Sequence, residues 1–145
     1  MGKIWILVAN SSKATLISAD SPTAPLKELE TFDNPDAREK ISDLISDRQG
    51  RSFNSQGEGR HAMEVQIDPK EQEQIRFAKL ISERLDEGRV ANEFERLVVV
   101  AAPAFLGQLR SHFGKHISAL VSLEVDKDYT SLPLRELRTR LPELL

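Results

Sequence analysis

The segment Ser46-Asp47-Arg48-Gln49-Gly50-Arg51-Ser52-Phe53-Asn54-Ser55-Gln56-Gly57-Glu58-Gly59-Arg60-His61 concentrates the side chains best suited to binding chemistry. It carries three arginines and a histidine, and Gly50, Gly57 and Gly59 allow the backbone to approach a ligand closely. A guanidinium is a planar fork that grips phosphate or carboxylate through paired hydrogen bonds. Two readings follow. In the first, Arg51, Arg60 and His61 form a binding edge for a polyanion, with Gly57 and Gly59 among them. In the second, the arginines pair with Asp47 and Glu58 and pin the loop to the fold. Arg48, next to Asp47 and close to Gly50, is expected to be structural.

The familiar catalytic constellations are missing. There is no Gly-x-x-x-x-Gly-Lys phosphate loop, no Gly-x-Ser-x-Gly elbow and no His-Glu-x-x-His. The absence of cysteine removes thiolate catalysis, thiolate metal sites and disulfides, and fits a reducing compartment. His112 and His116 are four residues apart, but Gly114 lies between them and no acidic ligand is near in sequence. They read as a solvent-facing pair flanking a helix end rather than as a zinc site. No catalytic residue, metal or cofactor is expected.

The elements that must carry the arginine segment can be read from periodicity. Residues 3–9 have apolar side chains on both parities, as a strand covered on both faces requires. Asn10-Ser11-Ser12 supplies a turn, residues 14–19 return as a second strand, and residues 26–32 with Lys27, Glu28 and Glu30 suit an exposed edge strand. Residues 33–67 show no sustained period, apart from a short helix expected over 36–45. A connection this long in a compact domain is usually functional or disordered.

Asp68, Pro69 and Glu71 then form a capping box that opens a helix with Ile75, Phe77, Ala78, Ile81 and Leu85 inward and Gly88 as its stop. Its other face, with Glu73, Glu83 and Glu87, reads as solvated surface. The run Leu97-Val98-Val99-Val100-Ala101-Ala102 is a second doubly covered strand, parallel to the first. A helix from Pro103 to Gly114 follows, then a strand over 120–125 with Val121, Leu123 and Val125 on one face, then a helix after Thr130-Ser131 with Leu134, Leu137 and Leu141 inward.

Three antiparallel strands followed by helix, strand, helix, strand, helix place the polar strands at the edges in the spatial order 3-2-1-4-5. This is an α/β, ribonuclease H-like mixed five-stranded sheet with helices packed on it. That topology suggests a nuclease, but two-metal phosphoryl chemistry needs carboxylates converging from strand ends. The first strand and the Val-rich strand contain none, and Glu71 and Glu73 read as capping and solvating residues.

With 145 residues, 39% apolar and 30% charged, the chain has the balance of one soluble domain spanning 1–145. Its net charge of −3 argues against nucleic-acid binding through bulk attraction. Acid dominates 62–95, whereas 47–61 and 96–145 are locally basic, so any polyanion contact belongs to those parts. No apolar stretch approaches the roughly 18 residues needed to span a bilayer, and the N-terminus shows no signal-cleavage pattern. A cytoplasmic location is expected.

Several blocks also carry a resemblance. Trp5-Ile6-Leu7-Val8-Ala9-Asn10-Ser11-Ser12-Lys13-Ala14, Ser46 to Phe53, Gly59-Arg60-His61-Ala62-Met63, Arg76-Phe77-Ala78, Ala102-Pro103-Ala104-Phe105-Leu106-Gly107-Gln108-Leu109-Arg110 and Asp126-Lys127-Asp128 resemble the bacterial host-attachment protein family over nearly the whole chain. Ala104 stands where a second proline is expected. The resemblance implies a role in attachment to host cells, which without export would be indirect. A more distant resemblance is to the middle domain of archaeal and eukaryotic peptide release factors, because Gly57-Glu58-Gly59-Arg60-His61 precedes Arg76-Phe77-Ala78 in the same order as that domain's Gly-Gly-Gln loop and helix. The decisive Gly-Gly-Gln is absent here, since neither Gln56 nor His61 follows two glycines. The leading expectation is a non-enzymatic domain that contacts RNA, the ribosome or a protein partner through residues 46–61. The alternative is a release-factor-like peptidyl-tRNA esterase using His61 or Gln56.

Overall fold

The computed structural model describes residues 2–34, 69–142 and 145. Strands β1 (Ile4–Ala9), β2 (Lys13–Ala19) and β3 (Lys27–Asp33) come first. They are followed by α1 (Pro69–Val90), β4 (Arg96–Ala101), α2 (Pro103–His112), α3 (Lys115–Leu120), β5 (Val121–Val125) and α4 (Leu134–Thr139). The strands form one sheet in the order β3-β2-β1-β4-β5. β2 is antiparallel to β1 and β3, whereas β1, β4 and β5 run parallel. This is the expected ribonuclease H-like order.

The apolar runs explain the layering. Every residue of β1 is buried because both faces of the sheet are covered. Trp5, Leu7 and Ala9 pack with Leu97, Val99, Phe77, Ile81, Leu85, Phe105 and Leu109 under α1, α2 and α3. Ile4, Ile6 and Val8 pack with Val98, Val100, Leu137, Leu141 and Leu145 on the other side. At the edge, β3 leaves Leu29 exposed, where the register with β2 shifts between Leu16 and Ile17. Such an irregularity, with charged neighbours, discourages pairing with a foreign strand.

Four expectations need correction. Gly88 does not end α1 but lies inside it, because the Trp5 indole occupies the space a side chain would fill. The helix instead ends in a Schellman arrangement around Asn92, whose φ is 59°. There Asn92 N donates to Arg89 O and Glu93 N to Gly88 O, satisfying two terminal carbonyls. Residues 115–119, to which the sequence assigned no element, and Leu120, expected to open the last strand, form α3 after Gly114. In β5, Val121 does not share a face with Leu123 and Val125. The register shifts at the pairs Leu97–Val121 and Val98–Leu123, so Val121 joins the α1–α3 side and the other two join the α4 side. Glu73, finally, is not simple solvated surface, since its side chain is only 13% exposed and paired with Arg76.

Candidate functional site

Parallel strands bring their C-terminal ends to one edge, and in open α/β sheets that edge is where ligands bind. There β1 is followed by Asn10, β4 by Ala102 and β5 by Asp126, with Ala102 N donating to Ala9 O at 3.2 Å. β3 runs in the same direction as β1, because both are antiparallel to β2, so Asn34 emerges at this edge too. The first turns of α1 meet it through Glu73 and Arg76. The edge therefore gathers parts of five separated stretches of sequence, around Asn10, Asn34, Arg76, Ala102 and Asp128.

Two polar knots hold the edge together. In the first, Asn10 Oδ1 accepts from the backbone N–H groups of Ser12 (2.8 Å) and Lys13 (2.9 Å), closing the β1–β2 turn. Its Nδ2 donates to Asp128 Oδ2 (3.0 Å) and Thr130 Oγ1 (3.1 Å), which ties that turn to the loop after β5. Thr130 also donates to Asp128 Oδ1 through its hydroxyl (2.6 Å) and its backbone N–H (3.1 Å). Burial pushes the Asp128 carboxyl upward, but the donors from Thr130 and Asn10 and the charge of Lys13 outweigh it, leaving the carboxyl below its ordinary value. Such a carboxylate is an acceptor that fastens loops and is poorly disposed to pick up a proton.

The second knot centres on Asn34, which is only 2% exposed. Its backbone N–H donates to Ser12 O (2.8 Å), and its Nδ2 donates to Ser11 O (3.2 Å) and Glu73 O (3.5 Å). Its Oδ1 accepts from Arg76 Nη2 (3.0 Å). Arg76 in turn grips the Glu73 carboxylate through Nη2 (2.6 Å) and Nε (3.1 Å). No buried side-chain nitrogen or oxygen among the described residues lacks a partner.

The expected binding residues Arg51, Arg60, His61, Gly57 and Gly59 lie outside the described residues, as do Asp47, Arg48, Gly50, Gln56, the 36–45 helix and the Asp68 cap. What the structure fixes is where their segment is attached. It leaves at Asn34 and returns at Pro69, and Asn34 is bonded to the first turns of α1. Sequence reasoning did not single out Asn10, Asn34, Arg76 or Asp128 as a group, although Asp128-Tyr129-Thr130 has the spacing of an Asx-type turn.

His112 and His116 stand elsewhere, on a groove of about 940 Å³ between α1 and the α2–α3 corner that is also lined by Lys79, Glu83, Asp86 and Ile117. His116 is exposed, and His112 Nδ1 lies 2.9 Å from Gln108 O. Among the described residues no three histidine or carboxylate side chains converge as a metal site would need. No helix among them is long and apolar enough to cross a membrane.

Residues 5–141 match the family model described as protein required for attachment to host cells. No curated protein matches the chain.

Proposed function

The chain belongs to the family of proteins required for attachment to host cells, and we propose that it works as a non-enzymatic RNA-binding domain of the bacterial cytoplasm, free or ribosomal RNA being gripped by the segment 46–61. The observation that carries this reading is the attachment of that segment's parent stretch, 35–68, to the C-terminal edge of the parallel strands at Asn34 and Pro69. That edge is the ligand side of an open α/β sheet. Arg51 and Arg60 supply phosphate-gripping forks and His61 a further donor, Gly57 and Gly59 permit close approach, and Asp47, Arg48 and Gly50 take a structural rather than a binding role. A role in attachment is then indirect, exerted through RNA. The polar side chains of the two knots are bonded mainly to one another, which suits a scaffold rather than a reacting centre.

The test is fluorescence anisotropy with a labelled single-stranded RNA 20-mer over a salt series, comparing the wild type with Arg51→Ala/Arg60→Ala. Removing two phosphate contacts from a single strand should make the slope of log K against log salt shallower by about 1.4 and weaken binding at least tenfold. Unaltered affinity and slope would remove this segment from consideration. Binding of a protein but of no RNA would reverse the choice of partner.

A further inference from the structure

The two walls of the groove between α1 and the α2–α3 corner differ in the sign of their charge. On the α1 wall, Glu83, Asp86 and Glu87 outnumber Lys79 and Arg89. Arg89 is taken up by Asp86 at 2.9 Å, and Arg84 leans the other way over Trp5 to meet Glu30 at 2.9 Å, reaching Glu87 only at 4.0 Å. The wall stays acidic at Glu83 and Glu87. The facing wall has no acid at all, because the sequence carries no carboxylate between Glu95 and Glu124. Its Arg110 is held by Glu124, which leaves Lys115, exposed beside the groove-lining His112 and His116.

Within one chain the two walls do not neutralise each other. Among the described residues no ion pair crosses the groove. Val90, the last residue of α1, stands at its lip and is 65% exposed. A single exposed apolar residue is ordinary on a protein surface. One set between an acidic row and a basic corner has the layout of an apolar interface centre with a charged rim.

We propose that this face pairs with the same face of a second copy of the chain about a two-fold axis near Val90, the α1 wall of each copy meeting the α2–α3 wall of the other. Charge complementarity selects this occupant. A patch with two walls of opposite sign is self-complementary under a two-fold rotation, which forms each favourable contact twice. Glu83 and Glu87 of one copy face the partner's Lys115 and the partner's His116, and the Val90 side chains of the two copies leave water together. Rim charges of this kind govern association rather than the folding of the single chain. Pairing uses no residue assigned to RNA, so either property can fail without the other.

Sedimentation velocity over a concentration series tests the pairing. The wild type should pass from the mass of one chain to twice that mass and no further, and added salt should move the transition to higher concentration. Glu83→Lys with Glu87→Lys gives a copy with two basic walls, and Lys115→Glu with His116→Glu gives a copy with two acidic ones. Each variant alone should dimerise at least about tenfold more weakly than the wild type, as should Val90→Asp. An equal mixture of the two charge-reversed variants should recover the dimer, because a basic wall then meets an acidic wall at both contacts, and this recovery shows that both are folded.

A wild type that stays monomeric throughout the series would overturn the pairing, and so would reversed variants that dimerise as tightly as the wild type. Failure of the mixture to recover the dimer, with each variant melting cooperatively by itself, would also overturn it. Growth beyond two copies would show a head-to-tail contact and overturn the two-fold arrangement.

Discussion

Gly88 and Gly107 make opposite predictions for the same substitution. Both are helical glycines, and alanine in a helix interior is favoured over glycine by about 1 kcal/mol. At Gly107, on the exposed face of α2, an added Cβ meets nothing within 4 Å, so Gly107→Ala should gain most of that amount. At Gly88 the added Cβ would sit 2.6 Å from Trp5 Cζ3 and closer still to Cη2. The indole has no easy retreat. Phe94 stacks on it with ring centroids 4.4 Å apart, Arg84 lies 5.2 Å from its centre, and Trp5 is only 2% exposed.

Overpacking of a filled core costs about 1–3 kcal/mol, and contacts this short place Gly88→Ala toward the upper end. Subtracting the helical gain leaves a net loss of about 1–2 kcal/mol, against a gain of up to about 1 kcal/mol at Gly107. In thermal melts of a chain this size the two variants should shift in opposite directions, by about 2–4 °C per kcal/mol. Emission from the single tryptophan adds a local reading, since it should change in Gly88→Ala and stay constant in Gly107→Ala. A Gly88→Ala protein at least as stable as the wild type, with unaltered emission, would refute the claim that Trp5 dictates glycine at this position.

Further outcomes follow from the same geometry. The Asp128 carboxyl is held below its unfolded value, so its stabilisation is complete above the unfolded pKa of about 3.9 and is lost as pH falls through the lower folded value. Acid denaturation of Asp128→Asn should accordingly be less steep at the acid end than that of the wild type, and superimposable curves would contradict the assignment. Arg84 binds Glu30 at 2.9 Å, approaches Glu93 at 3.7 Å and covers Trp5, so Arg84→Ala should cost about 1–2 kcal/mol in denaturant titrations. A loss below about 0.3 kcal/mol would reduce that cluster to solvated charge. Glu83→Gln should change stability by no more than about 0.5 kcal/mol, whereas Glu73→Gln should lose more because it releases Arg76 from its orientation.

The sheet order was legible because β1 and β4 are apolar on both parities and the edge strands are not, a contrast that survives without knowledge of partners. The misses share a physical origin in tertiary contact. Nothing local to Gly88 announces the indole of Trp5, so a glycine near the end of a periodic stretch reads as a stop. The bulge at Ser122 reverses the facing of Val121 through its pairing with β4, which residue alternation alone does not reveal. α3 is too short to impose a period of its own. Asn10 and Asp128 meet across 118 residues, and Asn34 and Arg76 across 42, so their partnership emerges only once the sheet has brought strand ends together. Of the candidate site, residue chemistry pointed to Arg51, Arg60 and His61, while the edge from which their segment departs had to come from the fold.

The central claim is that this chain holds RNA through residues 46–61. Ultraviolet crosslinking of the tagged protein in intact cells, followed by mass spectrometry of nucleotide-modified peptides, tests it most directly. The account predicts adducts within 46–61, near Phe53 and His61, that disappear in Arg51→Ala/Arg60→Ala. Recovery of the protein without crosslinked RNA, or with adducts confined to other segments, would contradict it.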